Sequence, residues 1–147
     1  MRWLFFVVAL TVGALITLQT GSNAGLKEAL RQPLMAVIIS SSIGVVALLG
    51  IVLAGRWPWP SSDQLMAAPW WAWLGGVLGA AYAIAVVVLA RPLGATTLTA
   101  LVVTGQLLCS VILDHFGWIG FETHTASVLR LAGCALMIAG FVLIARF

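Results

Sequence analysis

Charge is what this chain has least of. Seven Lys and Arg and four Asp and Glu make up 7 % of its 147 residues, where a soluble domain carries about 25 %. With 63 % hydrophobic residues, a water-soluble globular fold is excluded. The net charge of +3 comes without any basic cluster, so nucleic acid is not an expected partner. Cysteine is scarce as well. Cys109 and Cys134 sit in apolar segments with no CxxC spacing and no His partner, which reads as small packing residues rather than a disulfide or metal pair. A nucleophile–base pair, a metal cluster and a phosphate loop are all missing, and Ser110 near His115 is too weakly constrained to argue catalysis. No enzyme, cofactor or metal is expected. Alternating strands of about 10 residues, the mark of a membrane barrel, are missing too.

What remains is helix. A membrane span needs roughly 20 mostly apolar residues, and five such segments are present: 3–20, 33–55, 70–90, 94–113 and 128–146. Only the last holds charge, Arg130 and Arg146 near its ends, where long side chains reach the headgroups. The expected fold is an all-α integral membrane protein, residues 1–147 forming one five-helix domain in a lipid bilayer. Arg2, the apolar run behind it and Ser22-Asn23-Ala24 imitate a cleavable secretion signal. The run is long for that purpose and four more spans follow, so it is read as the first span.

The connections are short. Residues 21–32 carry Lys27 and Arg31, and Pro33 opens the second span, where a missing N–H costs nothing. Residues 56–69 hold Trp57 and Trp59, and with Trp70, Trp71 and Trp73 they place five Trp at one interface, as an aromatic belt does. Alternating the spans puts Arg2, Arg56 and Arg130 on one side and Lys27, Arg31, Arg91 and Arg146 on the other, three against four. Orientation follows the Lys/Arg excess, and a difference of one is a weak guide. Either the first helix or a partner sets the orientation, or chains insert both ways and pair antiparallel. The second reading has its own motive. Transporters are often built from two inverted repeats with the solute site between them, and five spans in one chain cannot supply that pair, whereas two opposed copies can.

Inside the spans, Thr99, Val103, Gln106, Ser110 and Asp114 follow at helical spacing on one face. An amide at mid-span must find a partner, because an unsatisfied one in hydrocarbon costs several kcal/mol. Gln106 is therefore either interhelical glue or cavity lining. Gln19 and Asn23 end the first span on one face, with Lys27 continuing it, and read as a polar helix end or as the rim of a cavity. Of Ser40, Ser41 and Ser42 in the second span, Ser41 is expected to look inward. Gly75, Gly79 and Ala83 in the third span, and Gly133 and Gly140 in the fifth, form small-residue faces that let backbones approach closely. Asp114 and His115 leave the fourth span where Arg130 enters the fifth. An ion pair is the simplest use of that corner, and a proton relay through the imidazole is the alternative.

Several of these residues form a recognisable set. Arg91-Pro92-Leu93-Gly94-Ala95, Thr104-Gly105-Gln106, Asp114-His115-Phe116-Gly117, Arg130 with Gly133, and Ala139-Gly140 resemble the YdcZ-like family of the drug/metabolite transporter superfamily. Gln19, Asn23, Gly75, Gly76 and Gly79 fit the same pattern. More distantly, the Pro-x-Gly opening, mid-span glycine and Phe-Gly exit look like the third helix of the small multidrug resistance transporters. The resemblance implies small five-helix proteins of the bacterial inner membrane that work as oppositely oriented pairs. One departure matters. The small multidrug exporters use a first-helix glutamate, and here that zone holds Gly13, Ala14 and Thr17. A bare cation would lack a counter-charge there, so a neutral or zwitterionic solute is expected instead.

The expected function is a small transporter, an antiparallel homodimer working by alternating access. Its cavity would be walled by the first, second and fourth spans of each subunit, lined by Gln19, Asn23, Ser41, Thr99, Gln106 and Ser110. Asp114, His115 and Arg130 would be a structural or coupling corner. The alternatives are one subunit of a transporter completed by an oppositely oriented homologue, and a membrane scaffold without transport.

Overall fold

In hydrocarbon every backbone N–H and C=O must be bonded within the protein, and a helix does this with its own residues. The computed structural model of the protein describes residues 2–146, and among them every regular element is helical. Six α-helices follow in order: α1 (Arg2–Leu30), α2 (Pro33–Ala54), the short α3 (Ser62–Ala67), α4 (Leu74–Leu93), α5 (Ala95–Phe116) and α6 (Val128–Arg146). A 3-10 turn, Trp70–Trp73, leads into α4, and another, Trp118–Gly120, follows α5. Among the described residues, five segments are long and apolar enough to cross a membrane: Trp3–Leu30, Pro33–Ala54, Trp70–Leu93, Ala95–Phe116 and Val128–Arg146.

Four helix ends differ from the sequence expectation by three residues or more, and two of them belong to α4, which begins at Leu74 rather than 70 and runs to Leu93 rather than 90. The first span was expected to stop at residue 20, but α1 runs to Leu30. Its 29 residues measure about 44 Å at 1.5 Å per residue, against about 30 Å of hydrocarbon, so its last turns extend past the apolar layer unless it tilts. The polar segment stays helical because no proline interrupts it and its hydroxyls do not compete with the backbone. Thr20 and Ser22 each donate to the carbonyl four residues back, at 2.9 and 3.0 Å. The connection to α2 shrinks to Arg31 and Gln32, with Arg31 at φ 55° and Pro33 in the first helical position. The fourth difference is in α5, which continues past 113 to Phe116 and so carries Asp114 and His115 on its final turn.

The segment between α2 and α4 is not wholly irregular. Ser61 and Gln64 form a reciprocal cap, the Ser61 hydroxyl accepting from the Gln64 N–H and the Gln64 side chain from the Ser61 N–H. This satisfies donors that the first turn of α3 would leave open.

The chain divides into two units at the Arg91–Pro92 bond. In the first, α1 packs on α2, with Ala24, Ala36 and Val37 buried. The end of α1 is also tied to α4. Lys27 Nζ donates to the Val87 carbonyl at 3.4 Å, and Glu28 pairs with Arg91. In the second unit α5 packs on α6, with Leu98, Thr104 and Cys134 buried. No more than 11 % of any span's apolar window is buried within the chain. Within each unit the helices thus leave most of their own lateral surface uncovered.

Candidate functional site

A candidate site lies in the second unit, and it is built by the way α5 ends. The helix stops at Gly117, which takes the left-handed conformation at φ 64°, ψ 31° and donates its N–H to the Leu113 carbonyl. A side chain there would be strained by that φ, and a Cβ would also meet the Thr123 hydroxyl at 2.6 Å. The chain then folds back over the helix end. The His124 N–H donates to the Asp114 carbonyl at 2.8 Å, and the Ala126 N–H to His115 Nδ1 at 3.2 Å. One helix-terminal carbonyl that would otherwise lack a donor is satisfied in this way. Ser127 caps α6, its hydroxyl accepting from the Arg130 N–H at 3.3 Å.

That return path brings Arg130 to Asp114. Its Nη1 lies 3.4 Å from Asp114 Oδ2 and 3.4 Å from the His124 carbonyl. A charged N–H···O bond is usually about 2.7–2.9 Å, so the guanidinium is shared and loosely held. The side chains keep 41 % and 29 % of their surface exposed, which places the pair at an open edge where ion pairs contribute ~0–1 kcal/mol. His115 does not join it. Its Nδ1 is taken by the Ala126 N–H, and its ring packs edge-on against Phe116 at 4.8 Å.

Below this edge, α5 and α6 enclose a cleft of about 510 Å³. Ser110 and Asp114 face it from α5 and Arg130, Gly133, Cys134 and Met137 from α6, with Val103, Leu107 and Val111 completing an apolar wall. An apolar hollow with a few convergent polar groups is the usual form of a small-molecule site. One end carries both signs of charge, and the remainder carries none.

The family described as "Putative inner membrane exporter, YdcZ" matches residues 4–143. The chain belongs to this family. It is also 24 % identical over 143 residues to the "Inner membrane protein YdcZ" of Escherichia coli (strain K12), a match covering 97 % of this chain and 94 % of that one. No solved structure matches it. With its five apolar helices, the YdcZ-family chain is a multi-pass protein of the bacterial inner membrane.

The residues singled out from sequence fall in different places. Ser110, Asp114 and Arg130 meet at the cleft. Thr99 and Gln106 are exposed on α5 and are not among its lining. Gln19 is exposed and Asn23 half-buried on α1, in the first unit. Ser41 lines a separate, almost wholly apolar hollow of about 470 Å³ between α2 and Ala80 of α4. The small-residue faces are open, since a Cβ built at Gly75, Gly79, Gly133 or Gly140 meets nothing within 4 Å. The sequence reading missed Cys134 and Met137 as cleft residues, and Gly117 and Ser127 as the positions that shape the return loop. Gly after the last apolar turn and Ser just before the next apolar run are the signals that mark such positions.

Proposed function

We propose that this YdcZ-family chain is a transporter of small neutral or zwitterionic solutes, working by alternating access in an antiparallel pair of identical chains. The observation that carries the solute class is the Asp114–Arg130 pair at the edge of the α5–α6 cleft. A solute bearing one positive and one negative group can replace each partner of a loosely held pair, its anionic group on Arg130 and its cationic group on Asp114, with its apolar body against Val103, Leu107 and Met137. Ser110 is a further polar contact. Its hydroxyl, now donated to the Leu107 carbonyl at 2.8 Å, turns at little cost. Gln19, Asn23, Ser41, Thr99 and Gln106 supply the remaining polar surface of the assembly. The family's description as an inner membrane exporter supports transport, and the near-equal Lys/Arg count on the two sides supports dual insertion.

The test uses purified protein and a panel of zwitterions, neutral polar solutes and organic cations, read by thermal shift and by uptake into proteoliposomes. Zwitterions are expected to raise the melting temperature and cations not to. Asp114→Asn and Arg130→Gln should each weaken zwitterion binding about 10- to 100-fold, the worth of a charge-assisted hydrogen bond. Unchanged binding in both variants refutes the assignment. If a cysteine placed at Glu122 in a Cys109→Ala/Cys134→Ala background is labelled from one side of the membrane only, the opposed orientation is refuted.

A further inference from the structure

Gln106 lies close to the midpoint of α5, which runs from Ala95 to Phe116. It is exposed, and none of the side-chain hydrogen bonds among the described residues involves it. The adjacent Gly105 is exposed as well, and a Cβ there meets nothing within 4 Å. An amide facing lipid at mid-depth costs several kcal/mol, so this surface needs a polar neighbour. The primary amide is self-complementary, one carbonyl accepting and one NH₂ donating, so two copies related by a two-fold axis can exchange a pair of hydrogen bonds. Depth makes the geometry specific. A two-fold axis lying in the membrane plane maps each depth onto its opposite, and only a residue at mid-depth meets its own copy.

We infer that α5 of one chain crosses α5 of a second copy at Gln106, amide to amide, with Gly105 allowing the backbones to approach. This rests on the antiparallel pairing proposed above and names its contact. The stripe that would lie along the crossing contains Thr99 and Leu113, seven residues to either side and so at the same angular position on the helix. At 1.5 Å per residue each sits about 10.5 Å from the axis along α5. In an antiparallel pair, Thr99 of one copy is then level with Leu113 of the other, while the two Thr99 residues are about 21 Å apart, far beyond the ~4.4–6.8 Å Cα separation of a disulfide.

The experiment starts from a Cys109→Ala/Cys134→Ala background in lipid bilayers. Two differently tagged chains carry Thr99→Cys and Leu113→Cys, alone and mixed, and oxidative crosslinking is read on gels. Dimer affinity is measured in parallel by energy transfer against the protein-to-lipid ratio, for wild type, Gln106→Met and Gln106→Asn. The expected result is crosslinking only in the mixed sample, a dimer about 3- to 20-fold weaker for Gln106→Met, and affinity within about threefold of wild type for Gln106→Asn, which keeps an amide. Mixed-sample crosslinking with an unaltered Gln106→Met dimer overturns the amide contact and leaves the antiparallel reading standing. Crosslinking of Thr99→Cys with itself shows parallel chains and overturns both. A dimer that crosslinks at neither position overturns the α5 contact.

Discussion

Gly117 offers the sharpest test of how the charged corner is built. Gly117→Ala meets two separate penalties. The residue holds φ 64°, where an L side chain costs about 1–2 kcal/mol, and its new Cβ would lie 2.6 Å from Thr123 Oγ1. Thr is β-branched and stiff at χ1, so the hydroxyl cannot swing away freely and the loop must shift. The conformational penalty alone predicts a roughly 5- to 30-fold change in the unfolding equilibrium, and the clash adds to it. The two can be separated by a double-mutant cycle. In a Thr123→Ala background the clash is gone and only the cost of the backbone conformation remains, so Gly117→Ala should cost less there by about 1 kcal/mol. Equilibrium unfolding in mild detergent supplies the free energies. Zwitterion affinity should fall alongside, because the His124 carbonyl that holds Arg130 sits on the same return loop. A neutral Gly117→Ala, or a cost that ignores Thr123, would refute the geometry.

Other perturbations separate binding from stability. The Asp114–Arg130 pair is partly exposed and 3.4 Å long, so the coupling energy from Asp114→Asn and Arg130→Gln should stay at or below about 1 kcal/mol, measured by the same unfolding assay. Thr104→Val should change stability by only about 1 kcal/mol and leave uptake intact, because the buried hydroxyl only donates to the Ala100 carbonyl at 2.7 Å, within its own helix. Ser61→Ala removes one half of the α3 capping box and should raise amide exchange across 62–67 about fivefold, the effect of ~1 kcal/mol. The five spans should exchange as before.

Hydropathy reports where hydrocarbon lies, and helix ends are decided by other rules. The apolar segments are legible because nothing but a long uncharged run survives in lipid. The same reading stops α1 at residue 20, since the residues after it are polar, yet the helix persists to Leu30 because no residue there prevents it. At α5 hydropathy ends at Leu113, while the true stop is the left-handed Gly117, and the extra turn is what carries Asp114 to Arg130. Periodicity has a similar limit. Spacing puts Thr99, Val103, Gln106, Ser110 and Asp114 on one face, but a face read at 100° per residue is broad enough to touch two neighbours. The cleft against α6 takes Val103, Ser110 and Asp114, and Gln106, one residue and so 100° from Leu107 in its wall, falls at its flank. No pattern within one chain can say which flank of a stripe is packed and which is left open. A mid-depth amide on the open flank carries that information instead, because lipid cannot satisfy it and a second amide can.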